Sequence, residues 1–369
     1  MNKTIRVAQI MGKWLGGGVE SFVMNYYRHI NHEKIQFDFI CDSDSTNIPY
    51  SDIEKLGGKV ILVPPYQKIL SYHKEIKKIF KENKYKIVHS HINTLSIFPL
   101  FAAKLAGVPV RIAHSHSTYN WQETKRTLLK FFLRPFSKIF ATHYFACSEL
   151  SAKFLFGKKT TNLGKVTIIN NAIEIEKFKF NKKIRNKIRK EMNIPNDYTI
   201  IGHVGRFMIT KNHNFIIEIF NEIKKQNPKT VLVLIGQGEL MLNIKQKVKA
   251  LGLTKDVIFL GQQENIYDYY QAMDIFILPS LYEGLGMALI EAQASGLTCI
   301  ASNKVPLCAK LTNNVYFINT KYKDKWIKLI LNEKINCRNN SIENIELNYN
   351  ISKQTNLLEK IYYSLWRNI

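Results

Sequence analysis

Short apolar runs alternate with longer polar or amphipathic segments along most of the chain, and this alternation constrains the fold most strongly. A first series contains the runs Ile5–Ile10, Phe37–Cys41, Val60–Val63, Ile87–His91, Val110–Ser115 and Tyr144–Cys147. A second series contains Thr199–Val204, Thr230–Ile235, Val257–Leu260, Asp274–Leu278 and Thr298–Ala301. Strands that alternate with helices are joined by right-handed crossovers into mainly parallel sheets. The chain is therefore expected to be an α/β protein with two Rossmann-like domains.

The length of 369 residues suits two domains, and the composition changes between the two series. The run Val166–Asn171 is followed by the strongly basic stretch Lys177–Arg189, which shows little apolar periodicity. We therefore predict a first domain at residues 1–172 and a second at residues 173–350. In residues 351–369, five apolar side chains recur at helical spacing, namely Leu357, Leu358, Ile361, Tyr362 and Leu365. This segment is predicted to form a packed terminal helix.

The chain carries 53 Lys and Arg against 29 Asp and Glu, a formal net charge of +24. Such a charge attracts nucleic acid, an anionic membrane surface or an anionic small substrate, although compositional bias alone also produces abundant lysine. No basic–aromatic recognition motif or zinc-binding spacing is present, so no nucleic-acid partner is expected. No apolar run reaches the roughly 18–20 residues of a membrane span, and no apolar signal-peptide core is visible. The five cysteines form no C-x-x-C pair, which favours a cytoplasmic protein.

Two segments that follow predicted strands carry residues suited to phosphate. Gly16–Glu20 follows the first strand, where glycines allow close backbone approach and a helix N-terminus offers N–H groups to an anion. Its spacing is not that of a dinucleotide fingerprint, and a plain tight turn explains it equally well. Arg206 and Lys211 follow the strand Thr199–Val204. An arginine fork and a lysine point charge at these places can clamp both phosphates of a diphosphate, unless they are simply solvated basic residues.

The segment Pro279–Ala292, PSLYEGLGMALIEA, carries the strongest signal in the sequence. A predicted strand leads into a Pro-Ser turn, an acidic glycine-rich loop and a helix. Glu283 and Glu291 lie eight residues apart, one before the helix and one about two turns inside it. The two carboxylates could bind hydroxyl groups at opposite ends of one nucleotide sugar. Because Glu291 stands in an otherwise apolar helix, it requires a polar partner.

This segment resembles the E-x7-E signature of the retaining glycosyltransferases of family 4, which have the GT-B fold. Other blocks agree in order and spacing: GGVE at Gly17–Glu20, IINNAIE at Ile168–Glu174, GRFMITKNH at Gly205–His213, LIGQGEL at Leu234–Leu240 and VIFLGQQENIYDYYQAMDIFILPS at Val257–Ser280. The resemblance covers nearly the whole chain and extends to bacterial capsular and exopolysaccharide glycosyltransferases. It implies two Rossmann-like domains that face one another across a cleft, with the C-terminal helix packed on the first domain.

The resemblance also implies roles for individual residues. Arg206 and Lys211 would bind the donor diphosphate, Glu283 would hold the transferred sugar, and Glu291 would bind the nucleotide ribose. The implied donor-binding set is Gly17, Gly18, Arg206, Lys211, Glu283, Gly284, Leu285, Gly286, Met287 and Glu291. A nucleotide sugar, expected to be UDP-linked, is the co-substrate, and neither a cofactor nor a metal ion is expected.

Two His-x-His pairs end predicted strands of the first domain, His89 with His91 and His114 with His116. Because side chains alternate along a strand, the members of a pair share one face. Such histidines could be structural, could bind a metal ion or could line a site. In the family, a histidine at the end of the fifth strand faces the donor sugar; His116 is the first candidate for this catalytic place and His114 the second. His91 and His114 are candidates for the acceptor side.

Two further motifs permit more than one interpretation. Lys125–Phe140 mixes cations with leucines and phenylalanines; it could lie in an anionic membrane interface or pack as an ordinary helix under the first sheet. The first alternative predicts peripheral attachment at the inner face of the cell membrane. Asp42-Ser43-Asp44 has the D-x-D form of metal sites in the other large glycosyltransferase fold. In the GT-B context we interpret it as a polar loop.

The resemblance implies a retaining glycosyltransferase that moves a sugar from a UDP-sugar to a lipid-linked or oligosaccharide acceptor in bacterial surface polysaccharide biosynthesis. The predicted catalytic residues are His116, Arg206, Lys211 and Glu283. Positioning and neutralisation of the leaving diphosphate would replace a metal ion, and front-face displacement is expected because no carboxylate nucleophile is visible. One alternative is a nucleotide-sugar epimerase on the same scaffold, which needs no acceptor. Another is a polyanion-binding protein driven by the net charge of +24.

Overall fold

The computed structural model describes residues 4–116, 133–332, 338 and 341–369. The chain divides into two units. The first comprises Met1–Ala172 together with Asn348–Ile369, and the second comprises Ile173–Leu347. The segment after Leu347 thus belongs to the first unit, whereas the sequence interpretation extended the second domain to residue 350.

The first unit contains a parallel sheet in which seven strands are described, in the order β3-β2-β1-β4-β5-β6-β7. The strands are β1 (Ile5–Gly12), β2 (Ile35–Asp42), β3 (Lys59–Val63), β4 (Ile87–Ser90), β5 (Val110–Ser115), β6 (His143–Ala146) and β7 (Val166–Ile168). The described helices between these strands are α1 (Gly18–His29), α2 (Tyr50–Lys55), α3 (Ile69–Glu82), α4 (Ile97–Leu105), α5 (Glu149–Phe156) and α6 (Lys158–Asn162). The chain order reverses between β1 and β4, which is where parallel sheets bind ligands.

Both faces of this sheet are buried, which explains why its strands appear in the sequence as continuous apolar runs. Successive residues of β2 divide between the two faces: Phe39 enters one hydrophobic cluster and Ile40 the other. The described part of the first unit also contains two 3-10 turns, Asn93–Ser96 and Arg134–Lys138.

The second unit contains a parallel sheet in the order β10-β9-β8-β11-β12-β13. Its strands are β8 (Thr199–Val204), β9 (Thr230–Ile235), β10 (Val257–Gly261), β11 (Ile275–Leu278), β12 (Thr298–Ser302) and β13 (Val315–Ile318). Its helices are α7 (Ile175–Phe178), α8 (Lys182–Glu191), α9 (His213–Gln226), α10 (Met241–Ala250), α11 (Ile266–Ala272), α12 (Met287–Ala294) and α13 (Lys323–Asn332), with 3-10 turns at Ile209–Lys211 and Leu307–Ala309. Helix α14 (Glu343–Tyr349) begins in this unit, and its last two residues belong to the first unit. Chain order reverses between β8 and β11. The predicted α/β fold with two Rossmann-like sheets is confirmed.

The C-terminal helix α15 (Ile351–Arg367), which the periodicity predicted as a packed helix, packs on the first unit, as the resemblance implied. Asn350 caps it by accepting a hydrogen bond from the Lys353 N–H, and Leu358 and Tyr362 are buried in the cluster around β1 and β2. Leu357, which the pattern placed among the packed residues, is 40% exposed. The apolar stripe is therefore narrower than the sequence indicated.

The basic stretch that the sequence placed at the domain boundary forms α8, and part of its charge lies inside the second unit. The Arg189 side chain has no exposed surface and contacts Asp274 at 3.2 Å, while Arg185 contacts the other carboxylate oxygen at 2.7 Å. The backbone N–H of Ile200 also donates to Asp274. The carboxylate thus fixes α8 against the beginnings of β8 and β11.

Replacing Asp274 with alanine should destabilise the second unit by about 3–5 kcal/mol, because Arg189 would remain buried without its carboxylate. Urea unfolding, followed at the transition of that unit, measures the loss. Asp197→Ala is a suitable control because Asp197 pairs with Lys229 at the surface, where ion pairs stabilise little. Equal shifts in the two variants would contradict a structural role for the buried pair.

Candidate functional site

The motif residues of the second unit follow two adjacent strands. Ile275 of β11 pairs with Ile201 of β8, so the loops that leave these parallel strands emerge at the same edge of the sheet. This is also the place where strand order reverses. The topology therefore brings the Arg206–Lys211 segment beside the loop that contains Glu283.

Two hydrogen bonds join these two loops. The Leu281 N–H donates to the Thr210 carbonyl at 2.7 Å, and the Asn212 side chain donates to the Pro279 carbonyl at 3.3 Å. Asn212 has a φ of 57°, a left-handed conformation that closes the turn directly before α9. The two predicted motifs are thus held in contact by the loops themselves.

Lys211 and Glu283 form an ion pair. Lys211 Nζ lies 2.5 Å from Glu283 Oε1, and the Ser280 hydroxyl donates to the same oxygen at 2.7 Å. Both side chains are largely buried. Arg206, by contrast, is exposed and forms no ion pair with any residue that the structure describes. The site therefore contains one cation balanced by a carboxylate and a second cation available to an anion.

Glycines allow the close approach that positions Arg206. A Cβ atom at Gly236 would collide with the Gly205 carbonyl oxygen, and one at Gly238 would collide with that of Phe207. The Phe207 N–H donates to the Gln237 carbonyl at 2.9 Å. The LIGQGEL block thus packs against the backbone that follows β8, a role that its sequence alone did not indicate.

Helix α12 begins beside Glu283 with its first N–H groups free of any side-chain cap. Gly286 precedes it with a φ of 85°, and the adjacent Leu285 side chain is buried. One turn and more into the helix, Glu291 accepts a hydrogen bond from the Tyr270 hydroxyl at 2.8 Å. Burial raises the pKa of Glu291, and the hydrogen bond opposes that shift. Tyr270 is thus the partner that the buried carboxylate required and that the sequence did not reveal.

In the first unit, the four histidines form part of a buried hydrogen-bond network. The Tyr362 hydroxyl contacts His89 Nδ1 at 2.6 Å, and His89 Nε2 contacts His114 Nδ1 at 3.0 Å. The side chain of Gln9 joins this row to a second one, because it contacts both Tyr362 and the ring of His91. His91 in turn contacts His116 at 2.8 Å. A residue of β1 and a residue of α15 therefore position the strand-end histidines.

Burial keeps these histidines neutral. It lowers the pKa values of His89, His91 and His114 well below the ordinary value, and it lowers that of His116 to about 3. The hydrogen bonds allow each ring a single proton: the Tyr362 hydroxyl can donate to His89, which donates to His114, while His116 donates to His91. The network thus fixes the ring orientations without charge.

Ring nitrogens of His89, His91 and His114 lie within 4.8 Å of one another, a spacing that could hold a metal ion. Both nitrogens of His89 and of His91 already take part in hydrogen bonds, and only Nε2 of His114 has no partner among the described residues. A metal ion could therefore bind only by replacing hydrogen bonds of the network. The cluster is better suited to a structural role.

The predicted residues of the first unit differ in their access to solvent. His114 has no exposed surface, so the structure gives no support to its place on the acceptor side, whereas His116 is partly exposed. Gly17 precedes α1 without a side-chain cap, and Gly18 begins that helix. Glu20 bends back over this loop and accepts the Leu15 N–H at 3.0 Å. The glycine segment thus already holds a carboxylate of its own chain.

A cavity of about 550 Å³ lies at the ends of β1, β2 and β4, where the order of the first sheet reverses. It is lined by Lys13, Glu20, Asp42 and His91, among others. Asp42 is 3% exposed, and burial, with a contribution from Asp44, raises its pKa to about 6. The sequence interpretation treated this residue as part of a polar loop; its burial in a cavity was not visible from the D-x-D pattern.

The basic segment predicted at Lys125–Phe140 lies outside the described residues up to position 132. The rest includes the turn Arg134–Lys138, in which Ser137 is buried, and the exposed Ile139. Among the helices that the structure describes, none has the length and apolarity needed to cross a membrane.

Comparisons with known proteins identify the family. Residues 16–177 match the family model "Glycosyltransferase Family 4" and residues 184–347 match "Glycosyl transferases group 1". The putative glycosyltransferase EpsF of Bacillus subtilis is 36% identical over 81% of this chain and 79% of its own length. An Escherichia coli UDP-Gal:α-D-GlcNAc-diphosphoundecaprenol α-1,3-galactosyltransferase is 27% identical over 98% of this chain and 97% of its own.

The fold is also similar to that of HepE from Anabaena in complex with UDP-glucose, with a TM-score of 0.79, 16% identity, and coverage of 98% of this chain and 100% of that one. The predicted GT-B fold class is confirmed. The chain belongs to the family 4 glycosyltransferases, with a group 1 domain as its second unit, and is a transferase enzyme.

Proposed function

We propose that this enzyme transfers a sugar, with retention of configuration, from a UDP-sugar to a lipid-linked or oligosaccharide acceptor in bacterial surface polysaccharide biosynthesis. The observation that carries the proposal is the arrangement of Arg206, Lys211 and Glu283 beside the start of α12. Two cations and uncapped helix N–H groups suit a diphosphate, and a carboxylate next to them suits sugar hydroxyls. The E. coli relative, named for a UDP-linked donor and a diphosphoundecaprenol-linked acceptor, supports this choice of substrates.

The mechanism relies on electrostatic stabilisation of the leaving diphosphate. Arg206 would contact its oxygens directly, and Lys211 would share its charge between the diphosphate and Glu283. As the bond from the anomeric carbon to the diphosphate breaks, negative charge develops on the phosphate oxygens, and preorganised cations lower the barrier. The acceptor hydroxyl oxygen bonds to the anomeric carbon on the face from which the diphosphate leaves. A phosphate oxygen of the released diphosphate accepts the hydroxyl proton. Glu291 would bind the ribose through the carboxylate oxygen that Tyr270 does not use.

The experiment is a comparison of nucleotide sugars, first by thermal shift and then by transfer to diphosphoundecaprenol-linked or soluble glycan acceptors. We expect one UDP-sugar to stabilise the enzyme and to release UDP only when an acceptor is present. Conversion of the donor sugar without any acceptor would instead identify the epimerase alternative. Absence of binding by all UDP-sugars would contradict the proposed donor.

The cavity at Asp42 is the proposed binding place for an acceptor hydroxyl. The Asp42 carboxylate lines the cavity and accepts no hydrogen bond from the described residues, so it is available to a ligand. Asp42→Asn should reduce transfer about 10- to 100-fold through a higher acceptor KM, because a hydrogen bond to a charged group is lost. Steady-state kinetics with varied acceptor measure this effect, and Asp52→Asn, which removes an exposed carboxylate that does not line the cavity, is the matched control.

The same substitution should stabilise the fold at neutral pH. Since the folded pKa of about 6 lies above the ordinary 3.8, the folded chain binds this proton more tightly than the unfolded chain. The stability contributed by Asp42 therefore falls as the pH rises from about 4 to about 6. We expect Asp42→Asn to raise the unfolding midpoint at pH 7–8 and to leave it unchanged near pH 4. A lower midpoint at pH 7 would contradict the burial of an unpaired carboxylate.

A further inference from the structure

Helices α3 and α4 of the first unit border an open groove of about 820 Å³. Helix α3 already buries one face in the protein core, through residues such as Tyr72 and Ile76. The groove is lined by a second face of α3, with Leu70, Lys74, Lys77 and Lys81, and by the phenylalanines of α4. This second face therefore contributes nothing to the core and is presented to the outside.

Large apolar side chains of α3 and α4 line part of the groove. Leu70 is 88% exposed and Ile69 is 55% exposed, although both are large aliphatic side chains at the start of α3. Phe101 of α4 is 37% exposed, and its ring lies 5.1 Å from that of His73 and 4.8 Å from that of Phe140. Contiguous exposed apolar surface of this kind marks an interaction site rather than ordinary solvent exposure.

Lysines surround this apolar surface, and their charge is not balanced. Residues 68–86 contain seven lysines and two glutamates. Within the described part of the chain, none of Lys74, Lys77, Lys78 and Lys81 forms an ion pair, whereas many lysines elsewhere do. Long lysine stems can lie along the apolar surface while their ammonium groups extend outward. The partner must therefore be apolar at its centre and anionic at its margin.

We infer that this groove is the surface by which the first unit binds an anionic lipid bilayer. Ile69, Leu70 and Phe101 enter the acyl region, and the lysines of α3 contact phosphate headgroups. A polyanion such as duplex DNA offers the charge but no apolar phase, and an uncharged bilayer offers the reverse. The inference gives the proposed lipid-linked acceptor a site of encounter, but vesicle binding is measured without donor or acceptor, so it stands or fails independently of the proposed activity.

The test is co-sedimentation of the full chain with phosphatidylglycerol–phosphatidylcholine vesicles at physiological salt. The triple variant Lys77→Glu, Lys78→Glu, Lys81→Glu should bind about 100-fold more weakly. Leu70→Asp, a change at a side chain that is 88% exposed and therefore compatible with folding, should bind about 10-fold more weakly. The matched control reverses three exposed lysines of α8, Lys182, Lys183 and Lys190, and should change binding by no more than about 3-fold.

Equal losses in the two triple variants would overturn the inference, because binding would then follow total charge rather than this surface. Unchanged binding of Leu70→Asp would remove the apolar contribution and leave a general polyanion site, for which duplex DNA would compete. Failure of the wild-type chain to bind the anionic vesicles, or equal binding to pure phosphatidylcholine, would also overturn it.

Discussion

Replacing Arg206 with alanine is expected to lower kcat/KM for sugar transfer about 10²- to 10³-fold. Arg206 is exposed at the end of β8 and forms no ion pair with the described residues, so its whole charge is available to the leaving diphosphate. Arg206→Lys should recover part of the activity, because it restores the charge but not the planar fork that binds two phosphate oxygens. Initial rates at varied donor concentration separate binding from turnover.

The control for this prediction is Arg28→Ala. Arg28 pairs with Asp52 on the surface of the first unit, and its side chain is 50% exposed. Its removal changes the net charge equally and should leave transfer within about 2-fold of wild type. Near-normal transfer by the Arg206 variant would remove its role at the diphosphate.

Glu283→Gln is expected to lower transfer at least about 10²-fold while preserving or strengthening the binding of free UDP. The carboxylate is expected to hold the sugar, which UDP lacks, so UDP loses no contact in the variant. Lys211, which now lies 2.5 Å from Glu283, would also be released from its ion pair and become a full charge for the diphosphate. Titration calorimetry with UDP and transfer kinetics with the UDP-sugar distinguish the two effects.

Lys211→Ala is the complementary variant, because it should weaken UDP binding and transfer together. Ser280→Ala removes only the hydroxyl that donates to Glu283, and we expect a small loss. If Glu283→Gln lost UDP binding to the same extent as Lys211→Ala, the ion pair would be a structural support of the loop. The proposed division of roles between sugar and diphosphate would then be wrong.

The fold was accessible from the sequence because strands buried on both faces leave continuous apolar runs. Strands such as β5 and β9 coincide with their predicted ranges. The sequence interpretation missed β13 (Val315–Ile318), a four-residue strand at the edge of the second sheet with one side chain, Tyr316, 40% exposed. A strand so short and partly exposed gives neither a long apolar run nor a clear alternation.

The functional site could be predicted from the sequence only in part. Glycine and acidic spacing indicated Glu283 and Glu291, but the ion pair of Lys211 with Glu283 spans 72 residues and depends on β8 lying next to β11. Alternation of strands and helices does not specify that order. Burial was equally invisible: Tyr270 beside Glu291 follows from side-chain packing that no local pattern encodes. Long-range polar contacts therefore needed the structure.

The hydrogen bond between Gln9 and Tyr362 joins residues 353 positions apart. Ile351, Leu358 and Tyr362 complete the hydrophobic cluster that contains β1 and β2, yet all three are synthesised after the whole of the second unit. During translation, part of the hydrophobic cluster beside the first sheet therefore stays uncovered until residues 351–362 have been synthesised. The second unit is complete before that point and can fold first. A released chain that ends before residue 350 should have a protease-sensitive first unit and a protease-resistant second unit, although N-terminal domains usually fold first.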